Sequence, residues 1–220
     1  MPSRISIAVV DDHPIFREGV IRVLRSQPQF QIVGEGQSAE DAVKLAAALQ
    51  PDVILLDVSM PGGGLEAART IATTAPSTNI MMLTVVDDDS FVVAALEAGA
   101  KGYVLKGVSG PDLVKLIHMV RYGRSGAFFL SPGLASRILE QDAAQGRVGA
   151  TTHIQSGLTD SDREILALMS DGQSHDQIAA RTGQDVDQIQ EKLSRILAYL
   201  RAVSQSATLP APVSDKPVLH

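Results

Sequence analysis

A chain of 220 residues has room for one large domain or two small ones, and for a packed core without disulfide staples. With 45% hydrophobic and 20% charged residues and a mean hydropathy of +0.10, the composition excludes wholesale disorder, and no apolar run approaches the roughly 18–20 residues of a bilayer span. The absence of cysteine removes thiolate metal sites and cysteine nucleophiles, and a net charge of −6 gives no bulk attraction to nucleic acid or anionic membrane. The start, Met-Pro-Ser-Arg-Ile-Ser-Ile, lacks the charged, apolar and small-residue pattern of a secretory signal, so a cytoplasmic location without membrane association is expected.

From the start to about Arg124, short β-branched runs alternate with amphipathic helical patterns, which predicts βαβ units and a parallel sheet. The five expected strands are Ile5 to Val10, Gln31 to Glu35, Val53 to Asp57, Asn79 to Thr84 and Gly102 to Leu105. Several are unbroken apolar runs, as strands covered on both faces are. Ser38 with Asp41, and Ser109 with Asp112, have capping-box spacing at the second and fifth helices. Leu113, Leu116, Ile117 and Val120 then form one face of the fifth. The run Asp87-Asp88-Asp89 fits the start of the fourth helix, where the helix dipole favours negative charge.

Residues 125–157 read as a linker with a short helix around Leu134 to Leu139. Residues 158–203 read as three helices, with stops at Asp171-Gly172 and Thr182-Gly183. The last helix, to about Ala202, aligns Ile189, Leu193, Ile196, Leu197 and Leu200, with Asp185 and Gln188 at N-cap and N3. Residues 204–220, with three prolines, read as a disordered tail. The fold class is therefore α/β, a doubly wound five-stranded parallel sheet over residues 1–124, followed by a small all-α domain.

In an open parallel sheet the ligand crevice lies at the carboxyl ends of the strands, near the point where strand order reverses. Those ends carry Asp11, Asp12, Asp57, Thr84 and Lys106. Three converging carboxylates repel one another without a cation, and Mg²⁺, a hard ion that takes carboxylate and phosphate oxygens, resolves the conflict. One carboxylate is then placed to attack a phosphoryl group, with Mg²⁺, Lys106 and Thr84 neutralising charge on its oxygens. His13 is expected to be a solvated residue at a helix start, and His118 and His175 helical residues among polar neighbours.

Three segments, Val9-Val10-Asp11-Asp12-His13-Pro14, Leu55-Leu56-Asp57-Val58-Ser59-Met60-Pro61-Gly62 and Ala98-Gly99-Ala100-Lys101-Gly102-Tyr103-Val104-Leu105-Lys106, resemble the flavodoxin-like receiver domain of bacterial two-component response regulators. The helical C-terminus resembles the LuxR-type (NarL/FixJ-like) helix-turn-helix output domain. The resemblance implies that Asp57 is the phosphoacceptor for a sensor histidine kinase. It implies that Asp12, Asp57 and the Ser59 carbonyl bind Mg²⁺, with Asp11 acting through water, and that Thr84 and Lys106 contact the phosphoryl group. It also implies that Tyr103 turns inward as Thr84 moves, reshaping the face made by the fourth helix, fifth strand and fifth helix. Two departures stand out: Gly62-Gly63-Gly64 makes a short, permissive loop after Met60-Pro61, and Val85 follows Thr84 with branched bulk that narrows access to the phosphoryl site.

The helical domain carries five basic and eight acidic residues between Leu158 and Ser204. Lysines usual in the family are replaced by Asp176 and Gln190. The resemblance implies DNA contacts from Gln190, Glu191, Lys192, Ser194 and Arg195, and dimerisation on phosphorylation. Gln190 suits adenine, Glu191 a cytosine amino group, and Lys192 and Arg195 phosphates. The charge balance supports an alternative that ranks behind DNA binding, a signalling adaptor whose helix-turn-helix binds protein instead. A phosphohydrolase using Asp57 as nucleophile is disfavoured because Ser59 stands where a general acid is wanted, so a non-enzyme is expected apart from the receiver's own phosphotransfer and dephosphorylation.

Overall fold

The computed structural model describes residues 4–85, 89–123, 129–130, 132–144 and 158–207. Within them the chain runs β1 (Ile5–Val10), α1 (Pro14–Arg25), β2 (Phe30–Gly36), α2 (Ala39–Leu49), β3 (Val53–Asp57), α3 (Gly64–Thr74), β4 (Asn79–Thr84), α4 (Asp89–Glu97), β5 (Gly102–Leu105), α5 (Gly110–Tyr122), β6 (Phe129–Leu130) and α6 (Pro132–Ala144). The helices α7 (Asp160–Ser170), α8 (His175–Thr182) and α9 (Val186–Ala207) follow.

The strands pair in parallel in the order β2-β1-β3-β4-β5-β6. Alternate residues serve opposite faces of the sheet. Ile7, Val9, Val53, Leu55, Met81, Leu83 and Val104 pack with Val20, Ile21 and Leu24 of α1 and Leu113, Leu116, Ile117 and Val120 of α5. Ala8, Val10, Ile54, Leu56, Ile80, Met82 and Tyr103 face the opposite way, with Ala42 and Ala46 of α2, Ala67, Ala68 and Ile71 of α3, and Val92 and Ala95 of α4. Both faces are covered, which is why these strands lack the polar alternation of a half-exposed sheet.

The sixth strand corrects the five-stranded expectation. Phe129 and Leu130 pair with Gly102 and Tyr103 inside what reads as linker, and two residues are too few to show a period. Gly123 makes room for Phe129: a Cβ there would lie 2.4 Å from the Met119 carbonyl oxygen and 2.6 Å from the Phe129 ring. The helix read at Leu134 to Leu139 spans Pro132–Ala144, and α9 continues to Ala207, taking in the first four residues of the expected tail. The rest of that tail lies outside the described residues, as do Asp87 and Asp88. Asp89 opens α4.

The capping signals act as the sequence suggests. Ser38 and Ser109 accept from the amides of Asp41 and Asp112, and Asp185 and Gln188 exchange side chain to backbone hydrogen bonds at the start of α9. Thr159 with Asp162, and Ser174 with Gln177, form full capping boxes at α7 and α8. Leu158, Ile165, Leu166, Ile178, Ile189, Leu193, Ile196 and Leu200 make the helical core, which is continuous with the α2–α4 side of the sheet. Helix α9 packs directly against α4, and α6 against α7. Among the described residues, no helix is long and apolar enough to cross a membrane.

Candidate phosphoacceptor site

Strand order reverses between β1 and β3, and the register fixes what gathers at that crevice. Val10 pairs with Leu56, Asp57 with Leu83 and Thr84 with Leu105. Asp11, Asp57, Thr84 and Lys106 therefore end adjacent strands, and Asp11, Asp57 and Thr84 are fully buried. Lys106 Nζ lies 2.8 Å from Asp11 Oδ2 and 3.0 Å from Asp57 Oδ2, and 4.9 Å from the centre of the Phe16 ring. The lysine bridges two carboxylates over an aromatic floor.

Burial raises the Asp57 pKa, the neighbouring Asp11 charge adds to the rise, and Lys106 opposes both. The buried Asp57 Oδ1 has no hydrogen-bond partner. A cation fits there, because one ammonium shared between two buried carboxylates leaves acceptor capacity unmatched.

Local structure seats these groups. Arg17 Nη1 donates to the Asp11 carbonyl and its Nε lies 3.5 Å from Glu35, tying α1 to the end of β1. In the glycine loop, Gly62 and Gly63 have φ of +85° and +81°. At Gly64 a Cβ would fall 1.9 Å from the Asp57 carbonyl oxygen, so only glycine lets α3 start against the end of β3. Ser59 is exposed, two residues past Asp57. Val85 is exposed and lines, from its rim, a cleft shared with His13, Phe16, Thr84, Leu105, Lys106 and Gly107. Tyr103 is already buried, on the α2–α4 side of the sheet.

His13 is a solvated residue at the start of α1, as expected, but its ring has close neighbours. It caps α1 with its backbone, and its side chain is 63% exposed, yet Nδ1 lies 2.8 Å from Asp12 Oδ1 and 3.4 Å from Asp11 Oδ1. The signal available in the sequence was its place directly after Asp11-Asp12. His175 departs from expectation: it is buried and stacks on Phe129 with ring centroids 4.6 Å apart. Its polar sequence neighbours gave no hint of a partner 46 positions away. His118, half-buried, sits between Phe30 and Tyr122.

On α9, Lys192 Nζ binds Ser161 Oγ at 2.6 Å and Gln184 Oε1, and Arg195 pairs with the buried Asp162 carboxylate. Gln190 is half-buried, Glu191 and Ser194 are exposed, and the Ser194 hydroxyl donates to the Gln190 carbonyl. The five residues share the N-terminal half of α9, and its two cations are engaged within the helical domain.

Residues 7–118 match the family described as the response regulator receiver domain. The chain is 34% identical over 189 residues to the transcriptional regulatory protein DegU of Brevibacillus brevis, covering 79% of this chain and 78% of that one. It is 35% identical over 178 residues to the nitrate/nitrite response regulator protein NarL of Escherichia coli K12, covering 80% of each. Among solved structures, a LuxR-family two-component response regulator from Aurantimonas sp. SI85-9A1 superposes with a TM-score of 0.58 at 35% identity, covering 64% of this chain and 99% of that one.

Proposed function

Because the chain belongs to the response-regulator family, with a receiver domain in its N-terminal part, we propose that it converts phosphorylation of Asp57 into control of transcription. The observation that carries this reading is Asp57 itself: a buried carboxylate, 3.0 Å from Lys106, with one oxygen unpartnered. An Asp57 oxygen attacks the phosphorus of a phosphohistidine on a sensor kinase. The P–N bond breaks with its electron pair leaving on the imidazole, and an acyl phosphate forms. Lys106 and Thr84 hold the phosphoryl oxygens. Asp12, Asp57 and the Ser59 carbonyl would hold Mg²⁺, with Asp11 acting through water, and the ion would neutralise charge on those oxygens. Hydrolysis of the acyl phosphate at the same site resets the protein, which acts in the cytoplasm. Thr84 and Tyr103 transmit the change to α4 and α5.

Residues 1–124 form the receiver, 125–157 the connection, whose Phe129 and Leu130 join the sheet, and 158–207 the helix-turn-helix, with the remainder as a tail. Helix α9 packs against α4, and on this reading phosphorylation releases α9 from that face for DNA contact by Gln190, Glu191, Lys192, Ser194 and Arg195. Two released copies form a homodimer that reads two half-sites, which offsets weak individual contacts. A second reading rests on the engaged cations: with Lys192 and Arg195 occupied and eight acidic residues against five basic, the helical domain docks on a protein partner instead. The test is labelling from a small phosphodonor with Mg²⁺, followed by anisotropy against genomic duplex fragments. Acid-labile phosphate on the chain and not on Asp57→Asn supports the receiver reading, and equal labelling overturns it. Salt-dependent, fragment-selective binding supports the DNA reading, and its absence in the labelled protein supports the protein-docking one.

A further inference from the structure

His13 is the imidazole that the phosphoacceptor chemistry does not use. As the residue preceding α1 it occupies the N-cap position, but its side chain makes no capping hydrogen bond. Pro14 stands at the first helical position, where its missing amide costs the helix nothing. The ring is turned toward the carboxylates, and one donor atom each from Asp11, Asp12, His13 and Asp57 lies within 4.8 Å of the others.

The distances have a recognisable form. Around an octahedral ion with ligands at about 2.1 Å, neighbouring ligand atoms are about 3.0 Å apart and opposite ones about 4.2 Å. His13 Nδ1 is 2.8 Å from Asp12 Oδ1, 3.4 Å from Asp11 Oδ1 and 3.9 Å from Asp57 Oδ2. Asp12 Oδ1, despite that 2.8 Å approach, has no hydrogen-bond partner. The ion-pair spacing of these two atoms also matches that of neighbouring ligands around a common centre. The unpartnered, buried Asp57 Oδ1 supplies an independent sign that the pocket suits a cation.

We propose that His13 Nδ1 is a direct ligand in this pocket for first-row transition-metal dications, so that the site prefers ions such as Co²⁺ or Zn²⁺ over Mg²⁺. This rests on the reading of the carboxylates as a divalent-cation site and adds the nitrogen donor. Mg²⁺ gains little from imidazole, whereas affinity for nitrogen donors rises along the first row. The exposed side of the His13 ring lets a hydrated ion enter and exchange waters for Nδ1. A transition ion held this way occupies the position that Mg²⁺ needs, and so competes with it for the receiver.

The test uses the full chain labelled with ¹⁵N-histidine. Mn²⁺ is bound, its displacement by Mg²⁺ is followed, and pulsed EPR detects nitrogen coupling to the metal. Co²⁺ and Mg²⁺ affinities are measured by calorimetry. The expected result is a ¹⁵N coupling on the Mg²⁺-displaceable Mn²⁺ that vanishes in His13→Ala, with Co²⁺ affinity falling at least about tenfold and Mg²⁺ affinity changing less than about threefold. Mn²⁺ that competes with Mg²⁺ but shows no nitrogen coupling, or unchanged Co²⁺ affinity in His13→Ala, overturns the role of His13 and leaves the carboxylate site standing. Mn²⁺ binding that Mg²⁺ does not displace and that Asp57→Asn does not weaken overturns both.

Discussion

His175, the first residue of α8, stacks its ring on Phe129 of β6 at 4.6 Å with the planes 17° apart. Burial drives the His175 pKa down to about 4, against a small upward pull from Asp176. Asp112 and Lys115 of α5 line the same cleft. Its folded value lies below the unfolded one of 6.5, so the unfolded chain binds more protons between those values. Stability from this group is complete above about pH 6.5 and is lost as pH falls toward 4, by at most about 3 kcal/mol. Urea midpoints measured across that window are expected to fall with acid in the wild type and to flatten in His175→Phe.

Lys106→Met removes the shared ammonium and leaves Asp11 and Asp57 buried without it. A loss of about 3–5 kcal/mol is expected in the absence of divalent ions. Added Mg²⁺ restores part of it, and binds more tightly than to the wild type because a competing positive charge is gone. Thermal denaturation with and without Mg²⁺ checks both halves. A destabilisation insensitive to Mg²⁺ would count against the pocket as a cation site.

Gly64→Ala places a methyl 1.9 Å from the Asp57 carbonyl oxygen and 2.9 Å from the Val58 Cα, neither of which can swing aside. A cost of at least about 2 kcal/mol in denaturant unfolding is expected. Gly133→Ala, where a Cβ meets nothing within 4 Å, is expected to change stability by less than about 1 kcal/mol.

Arg195 and Asp162 separate the two accounts of α9. If Arg195 chiefly holds Asp162, Arg195→Ala leaves the buried Asp162 Oδ1 without its guanidinium while Oδ2 keeps the Thr159 amide and hydroxyl, and a double-mutant cycle with Asp162→Ala shows coupling above about 1 kcal/mol. If Arg195 and Lys192 also neutralise DNA phosphates, the Lys192→Ala, Arg195→Ala pair lowers the slope of log affinity against log salt by about 2. An unchanged slope places the phosphate contacts elsewhere.

The legibility of this fold varied with the distance between interacting groups. β1, β3, β4 and β5 begin and end where their apolar runs do, because burial on both faces leaves no ambiguity. Asp11, Asp57, Thr84 and Lys106 were readable because parallel topology alone brings strand ends together. β6 was not, since its two residues are held by pairing with Gly102 and Tyr103 and by space at Gly123, none of which is local in the chain. The orientation of His13 toward Asp12 depends on a rotamer, and the burial of His175 on contact with a distant ring. Neither leaves a period in the sequence. Lys192 and Arg195 were legible as cations but not as cations already engaged, because Ser161 and Asp162 are some thirty positions away.

The pairing of Phe129 and Leu130 with β5 also bears on how the protein behaves in a crowded cell. An open edge at β5 would offer the amides and carbonyls of Gly102 to Leu105 to any passing extended chain. The connection to the helical domain occupies part of that edge with a strand of only two residues, too short to template further addition. The segment that joins the two halves of the molecule thereby shortens the open edge on this side of the sheet.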